Sequence, residues 1–522
     1  MARMCRPVYG SILLGIVWTG LLVSGINAGA QGRGDVPAGQ MTLVHGIGIA
    51  PRWFDPAESE GLVTPFIFYY ALHDALVKPM PGNPFAPCLA ESWNASSDGL
   101  TYEFVLRKGV RFHNGEALTA EDVKFSFDRY RGASAKTLKE HVAAVEIVDP
   151  LRVRFRLKRP WPDFMTFYAT PATGAAWIVP KHYVEKVGED GYKKAPVGAG
   201  PYRFASFKPG VELVLEANEH FWRKTPSVKT LVIRTVPDEA TRLAMLKRGE
   251  ADIAYVFRGA LAEELRRTPG LTLKPYYLPL PVWYVFTEQW DPKSPWSDRR
   301  VRLAANLAID RQAVNQAETL GLSKVTASLI PQGFEFAWPA PVYPYDPKKA
   351  KQLLAEAGYP HGFEAGPIAA DVANASFAEA VASYWGAVGI RTTIRPLERA
   401  AFFKEYQEKR LHKQIIQSTS AAFGNAATRL DAFVAGGSPF AYGTYSDIEG
   451  LLREQATELD RGKREALLHR IQQIIYDKVM YAPLLELAIP GGYGPRVAES
   501  AIGLITNMSS SAPYEDLKLK GK

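Results

Sequence analysis

Hydrophobic and polar positions along the chain switch repeatedly between two periods. Tyr102, Phe104 and Leu106 alternate with more polar neighbours, and so do Leu151, Val153, Phe155 and Leu157; both runs predict strands with one buried face. Opposite the second set stand Arg152, Arg154, Arg156 and Lys158. Strict alternation reads this cationic row as the solvated face of an antiparallel strand rather than an anion site. Helical spacing is equally plain. Val123, Phe127 and Tyr130 follow Thr119-Ala120-Glu121-Asp122, a capping-box pattern. Leu353, Leu354 and Ala357 follow Asp346-Pro347, a cap residue with proline at the first helical position, and Gly358 stops the run. Phe377, Val381, Tyr384, Trp385 and Val388 stripe a helix closed by Gly389, with a strand from Ile390 to Ile394 after it. Leu467, Leu468, Ile471, Ile474 and Ile475 stripe a long helix near the C-terminus. Strands and helices alternating in this way predict an α/β architecture.

Pro- and Gly-rich clusters near 79–87, 195–201, 279–296, 331–347, 436–443 and 490–495 predict loops. No tandem repeat or low-complexity linker divides the chain. The 522 residues give a prior of about three to four domains. With 47% hydrophobic and 22% charged residues the chain is globular rather than disordered. A net charge of +8 without a run of five like charges gives no reason to expect a nucleic-acid partner.

The N-terminus predicts an export signal over residues 1–30. Arg3 and Arg6 form a basic start, Ile12 to Val23 a short apolar stretch, and Ala28-Gly29-Ala30 a small-residue cleavage site before Gln31. The apolar stretch falls short of the roughly 20 residues that span a bilayer. Cleavage removes Arg3, Arg6 and Cys5, so +8 less two charges is +6, and Cys88 becomes the only thiol. An exported chain without a disulfide is held together by burial.

Catalytic patterns are missing. The nine histidines are scattered singly, and no His-Glu-x-x-His, Gly-x-Ser-x-Gly or Gly-rich phosphate loop occurs. Gly198-Ala199-Gly200 is followed by Pro201 and a strand, not by the helix a dinucleotide fingerprint requires. Cys88 between Pro87 and Leu89 reads as a packed thiol, and Asp238-Glu239 as dipole compensation at a helix start. No catalytic residue, metal or cofactor is expected. Aromatics, by contrast, gather near proline and glycine: Trp53, Trp161, Trp177, Tyr276, Tyr277, Trp283, Tyr284, Trp290, Trp296 and Trp338. Read as loop residues, they suit a ligand cleft, because each offers large contact area with few rotors.

The order of several segments resembles a known family. Leu89-Ala-Glu-Ser-Trp93 is followed by the stretch from Ser97 to Gly115 and by Leu118-Thr-Ala-Glu-Asp-Val-Lys-Phe-Ser-Phe127. Pro196-Val-Gly-Ala-Gly-Pro-Tyr202, Asn218-Glu-His-Phe-Trp222, Arg248-Gly-Glu-Ala-Asp-Ile253, Val301 to Asp310 and Tyr345 to Gly358 come next in order. This set is similar to the family 5 extracellular solute-binding proteins, the peptide, opine and nickel receptors of ABC importers. The resemblance implies a two-lobed, type II periplasmic-binding-protein-like α/β fold with an extra subdomain in its first lobe. Lobe I would comprise 31–65, 195–278 and 486–522, its subdomain 66–194, and lobe II 279–485. It implies a periplasmic receptor, a monomer, that closes by a hinge on a peptide-like or polar organic solute and delivers it to membrane permease subunits. The rival reading is a module that presents ligand to a membrane sensor. By the resemblance the ligand meets Trp53, Trp177, Trp283, Tyr284, Ser418, Thr419, Ser420 and Phe423. Peptide-binding members carry a Gly-Trp-x-x-Asp type sequence in the last of these loops, and Gln417 to Asn425 has no acid there. A buried ammonium without a counter-charge is costly, so Ser418, Thr419 and Ser420 are expected to meet a neutral polar group instead. Trp283→Ala is expected to weaken binding without unfolding the protein.

Overall fold

The computed structural model describes residues 36–59, 65–170, 173–418, 424–505 and 511–521; the expected export signal lies outside them. Among the described residues the largest sheet has eleven strands. On one side Ala38–His45 pairs in parallel with Val228–Thr235 and Ile253–Ala254, and Glu212–Ala217 and Tyr202–Lys208 continue to the edge. On the other side Phe363–Asp371 pairs in parallel with Ile390–Leu397 and Gln414–Ser418. Two long strands join these sides. Thr272–Phe286 and Tyr481–Tyr493 run antiparallel, from Thr272 opposite Tyr493 to Val285 opposite Tyr481. The ladder is interrupted between Tyr277 and Pro281, the stretch that carries Pro279.

The buried side chains sort along the chain. One apolar cluster runs from Met41 to Tyr276 and takes in Val497 to Leu517, and a smaller one gathers Val44 with residues of 243–265. Two others, around Tyr284, Trp296 and Trp385 and around Trp283, Phe433 and Leu468, draw only on 282–485. Strand alternation makes the second pair separate: Val282, Tyr284 and Phe286 face one cluster, Trp283 and Val285 the other.

A four-stranded antiparallel sheet in the order Ala90–Ala95, Thr101–Leu106, Arg152–Leu157, Val142–Asp149 carries the arginine row. Its apolar face is buried. Its outer face is a cross-strand ladder of ion pairs, Arg154 to Glu103 at 2.7 Å and Arg156 to Glu146 at 2.5 Å, so the row is a charge-compensated surface. Helices start where the caps predict. The Asp122 carboxylate accepts from the Thr119 N–H at 2.8 Å ahead of Ala120–Asp128, and the Asp346 carboxylate from the Lys349 N–H at 2.8 Å at the start of Pro347–Glu356. Gly389, at φ +101°, closes Ala375–Val388, and Ile390–Leu397 follows.

Gly198 and Gly200 have a packing role. A Cβ on either would strike the carbonyl oxygens of Leu72 or Ala71. His113 grips the same turn: the Gly198 N–H donates to its Nδ1 at 3.2 Å, and its Nε2 lies 2.9 Å from the Gly200 carbonyl oxygen. An accepting Nδ1 fixes the neutral, Nε2-protonated tautomer, so that Nε2 donates. Cys88 is buried, and burial pushes its thiol up to about 12, which makes it unreactive.

Candidate functional site

In open α/β sheets the ground beyond the carboxyl ends of the strands is where ligands bind, because backbone N–H groups and loop side chains converge there. Here that ground holds a cavity of about 440 Å³, within the range of small-molecule sites. It draws on both sides of the sheet. Phe257, Arg258 and Gly259 follow Ile253–Ala254; Asn374, Ser376 and Phe377 follow Phe363–Asp371; Arg399 follows Ile390–Leu397; Ser418 ends its own strand. Leu280 and Leu487 to Pro490 of the two joining strands form the floor.

The walls are apolar with a few polar groups at fixed places. Arg399 Nη1 lies 2.6 Å from Asp371 Oδ2, which aligns the guanidinium while leaving its side chain 58% exposed. Asp371 is itself buried and also accepts from the Ala373 N–H at 3.0 Å. The Glu318 carboxylate accepts from Ser376 Oγ at 2.7 Å. The Arg258 backbone N–H donates to Glu239 at 3.2 Å, and its exposed guanidinium has no hydrogen-bond or ion-pair partner among the described residues. Asn374 is 7% exposed, and its amide neither caps Ala375–Val388 nor bonds elsewhere among the described residues. Gly259–Arg267 likewise begins without a side-chain cap. Two guanidiniums, a free carboxamide and two uncapped helix starts favour an anion, while Glu318 offers one acid to a cation.

The expected ligand residues do not all come together. Ser418 lines the cavity. Thr419, Ser420 and Phe423 lie outside the described residues. Trp53 sits half-buried in the short turn Pro51–Phe54, and its buried indole Nε1 has no hydrogen-bond partner among the described residues. Trp177, Trp283 and Tyr284 are all core side chains, and none lines this cavity; Trp283 and Tyr284 stand on a strand, which corrects the loop reading for them, while Trp177 does lie in a loop. Trp177 is walled by Phe66, Tyr69 and Tyr70 with ring centroids 5.2–5.9 Å away, and the Lys78 Nζ lies 5.3 Å over it. Trp283 and Tyr284 are on a strand, so they point to opposite faces, and both faces are covered. Trp283 meets Phe433 edge-on at 5.2 Å; Tyr284 packs on Trp385 and donates to the Phe377 carbonyl at 3.3 Å. Arg258, Asn374, Ser376 and Arg399 were missed because they are ordinary residues in ordinary loops. The signal that finds them is position, two to five residues past a parallel strand.

Comparison with known proteins decides the family. Residues 84–440 match the bacterial extracellular solute-binding proteins, family 5 Middle. The chain belongs to that family. Among relatives of this family, heme-binding protein A of Haemophilus influenzae is 30% identical over 495 residues, covering 87% of this chain and 88% of its own. The glutathione-binding protein GsiB of Salmonella paratyphi A is 34% identical over 283 residues, and this chain spans about half its length, 53%. Among solved structures, HbpA2 of Haemophilus parasuis superposes with a TM-score of 0.80 at 24% identity, covering 92% of this chain and 100% of that one. The unliganded murein tripeptide-binding protein MppA gives 0.77 at 21% identity, covering 94% and 99%. The family 5 protein therefore has the type II periplasmic-binding-protein fold, as the sequence resemblance implied.

Proposed function

We propose that this protein is the exported, non-catalytic receptor of an ABC importer, and that it closes on a small peptide-like solute bearing at least one carboxylate. The observation that carries the reading is the 440 Å³ cavity, walled from both sides of the sheet and floored by the two long strands that join them. Residues 31–65, 195–278 and 486–522 act as one lobe, with 66–194 as its subdomain, and 279–485 as the other. The interrupted ladder near Pro279 and Pro281 is the hinge, because a ladder already missing bonds bends with less loss.

Arg258, Arg399 and Asn374 hold the carboxylate, and Glu318 takes a ligand ammonium, the role that the acid-free segment 417–425 leaves vacant. Ser418 and Trp53, with Thr419, Ser420 and Phe423, contribute neutral contacts. Trp177, Trp283 and Tyr284 support the walls from behind. Two curated relatives are named for haem and for glutathione. A γ-glutamyl tripeptide offers two carboxylates and one ammonium, the charge set of this cavity, so glutathione is the first probe and haem the second.

The test is thermal unfolding with glutathione, haem and a panel of di- and tripeptides. A ligand at 100 times its Kd stabilises by about 2.7 kcal/mol, an easily read rise in Tm. Acidic peptides that shift the midpoint support the reading. A panel in which only uncharged sugars or amines do so would contradict it. Delivery to a permease, rather than presentation to a membrane sensor, is tested by ligand-dependent stimulation of a reconstituted permease ATPase.

A further inference from the structure

Asp163 stands at the start of Phe164–Tyr168, a position where an aspartate ordinarily caps its own helix, and it makes no such bond. Both carboxylate oxygens reach instead to residues more than 260 positions away. Oδ1 accepts from Asn425 Nδ2 at 2.5 Å, and Oδ2 accepts from Arg464 Nη2 at 2.6 Å. All three side chains are buried. Their other bonds bind each to its own side: Asn425 Oδ1 caps Ala426–Phe433 through the Thr428 N–H at 3.0 Å, and Arg464 is braced by Gln455 Oε1 at 3.0 Å. Asn425 Nδ2 also meets Thr166 Oγ1 at 3.1 Å. Nearby, Leu459 lies against Gly99, where a Cβ would be 2.7 Å from its Cδ2, and Gly424 lies against Thr170.

We infer that Asp163, with Asn425 and Arg464, is a latch that closes the cleft directly, so that affinity for solute is set partly by residues that never touch it. The inference rests on the two-lobe reading, since Asp163 belongs to 66–194 and its partners to 279–485. The physical reason is asymmetric desolvation. In the closed form the pair is dry and mutually compensated; on opening, both charges return to water. Removing one partner therefore leaves an uncompensated buried charge in the closed form alone. Asp163 is a positioning residue: its carboxylate selects the closed arrangement and makes no cap bond to its own helix.

The test is single-molecule energy transfer on ligand-free full-length mature protein, labelled at Glu140→Cys and Arg453→Cys, both exposed, with Cys88 shielded by burial. Wild type is expected to show two distance populations. Asp163→Asn and Arg464→Met should each lower the closed-to-open ratio by roughly tenfold or more, the scale on which truncating one member of a buried charge pair acts. The double variant Asp163→Leu/Arg464→Met, which removes both charges of the pair, should recover much of the closed population. Two populations in wild type that neither single variant shifts, or single variants that lower Tm sharply without shifting them, would overturn the latch and leave the lobes standing. One unvarying population, with or without glutathione, would overturn the lobes and the latch together.

Discussion

Trp283 has no exposed surface, meets Phe433 edge-on and lies 5.1 Å from the Arg429 guanidinium. Trp283→Ala should destabilise by about 3–5 kcal/mol, the usual loss for a large buried aromatic, read as a lower urea midpoint. A variant of wild-type stability would place the indole outside the core. The cavity residues behave differently. Arg258→Ala removes a guanidinium that bonds nothing among the described residues, so it should weaken binding of a carboxylate ligand by tenfold or more while leaving the urea midpoint within error. Arg399→Ala should weaken binding and also lower the urea midpoint, because it strands the buried Asp371. Equal loss of stability in the two variants would contradict these assignments. Of the residues lining the cavity, only Ser418 was legible in the sequence. Large aromatics drew attention by type, yet burial decides what an aromatic does, and two neighbours on one strand share a sequence context while facing different cores. Arg258 and Asn374 have no type signal at all.

At the scale of elements, alternation and capping sufficed wherever one face is buried and the other wet, as in Arg152–Leu157 and Pro347–Glu356. They failed at Thr272–Phe286. Pro275, Pro279 and Pro281 made its second half read as a loop, yet it is a central strand. Proline lacks the N–H a ladder needs, and the strand accommodates this through register shifts between Tyr277 and Pro281 and between Val282 and Trp283. Burial on both faces removed the alternation that elsewhere marks a strand. The Gly198-Ala199-Gly200 turn makes an element-scale prediction. Gly200→Ala forces a methyl against the Ala71 carbonyl and pulls the turn off His113, so it should lower Tm by several degrees. A Tm unchanged from wild type would mean that the turn yields without strain.

For the molecule as a whole, acid should loosen the fold. Burial lowers His45 and His73 to about 3, and both are neutral in the native state. The unfolded chain, with histidines near 6.5, binds more protons below that pH, so the stabilisation present above 6.5 is lost as pH falls toward 3. At pH 5 this amounts to about 2 kcal/mol per histidine, read as a urea midpoint lower at pH 5 than at pH 7.5; a midpoint that rose would contradict it. The central claim is closure of two lobes on a small acidic peptide-like solute, and small-angle scattering tests it most directly. Protein stripped of any retained compound by unfolding and refolding should lose radius of gyration when glutathione, or whichever panel member raises Tm, is added to saturation. A ligand that raises Tm while the scattering curve stays the same would contradict closure.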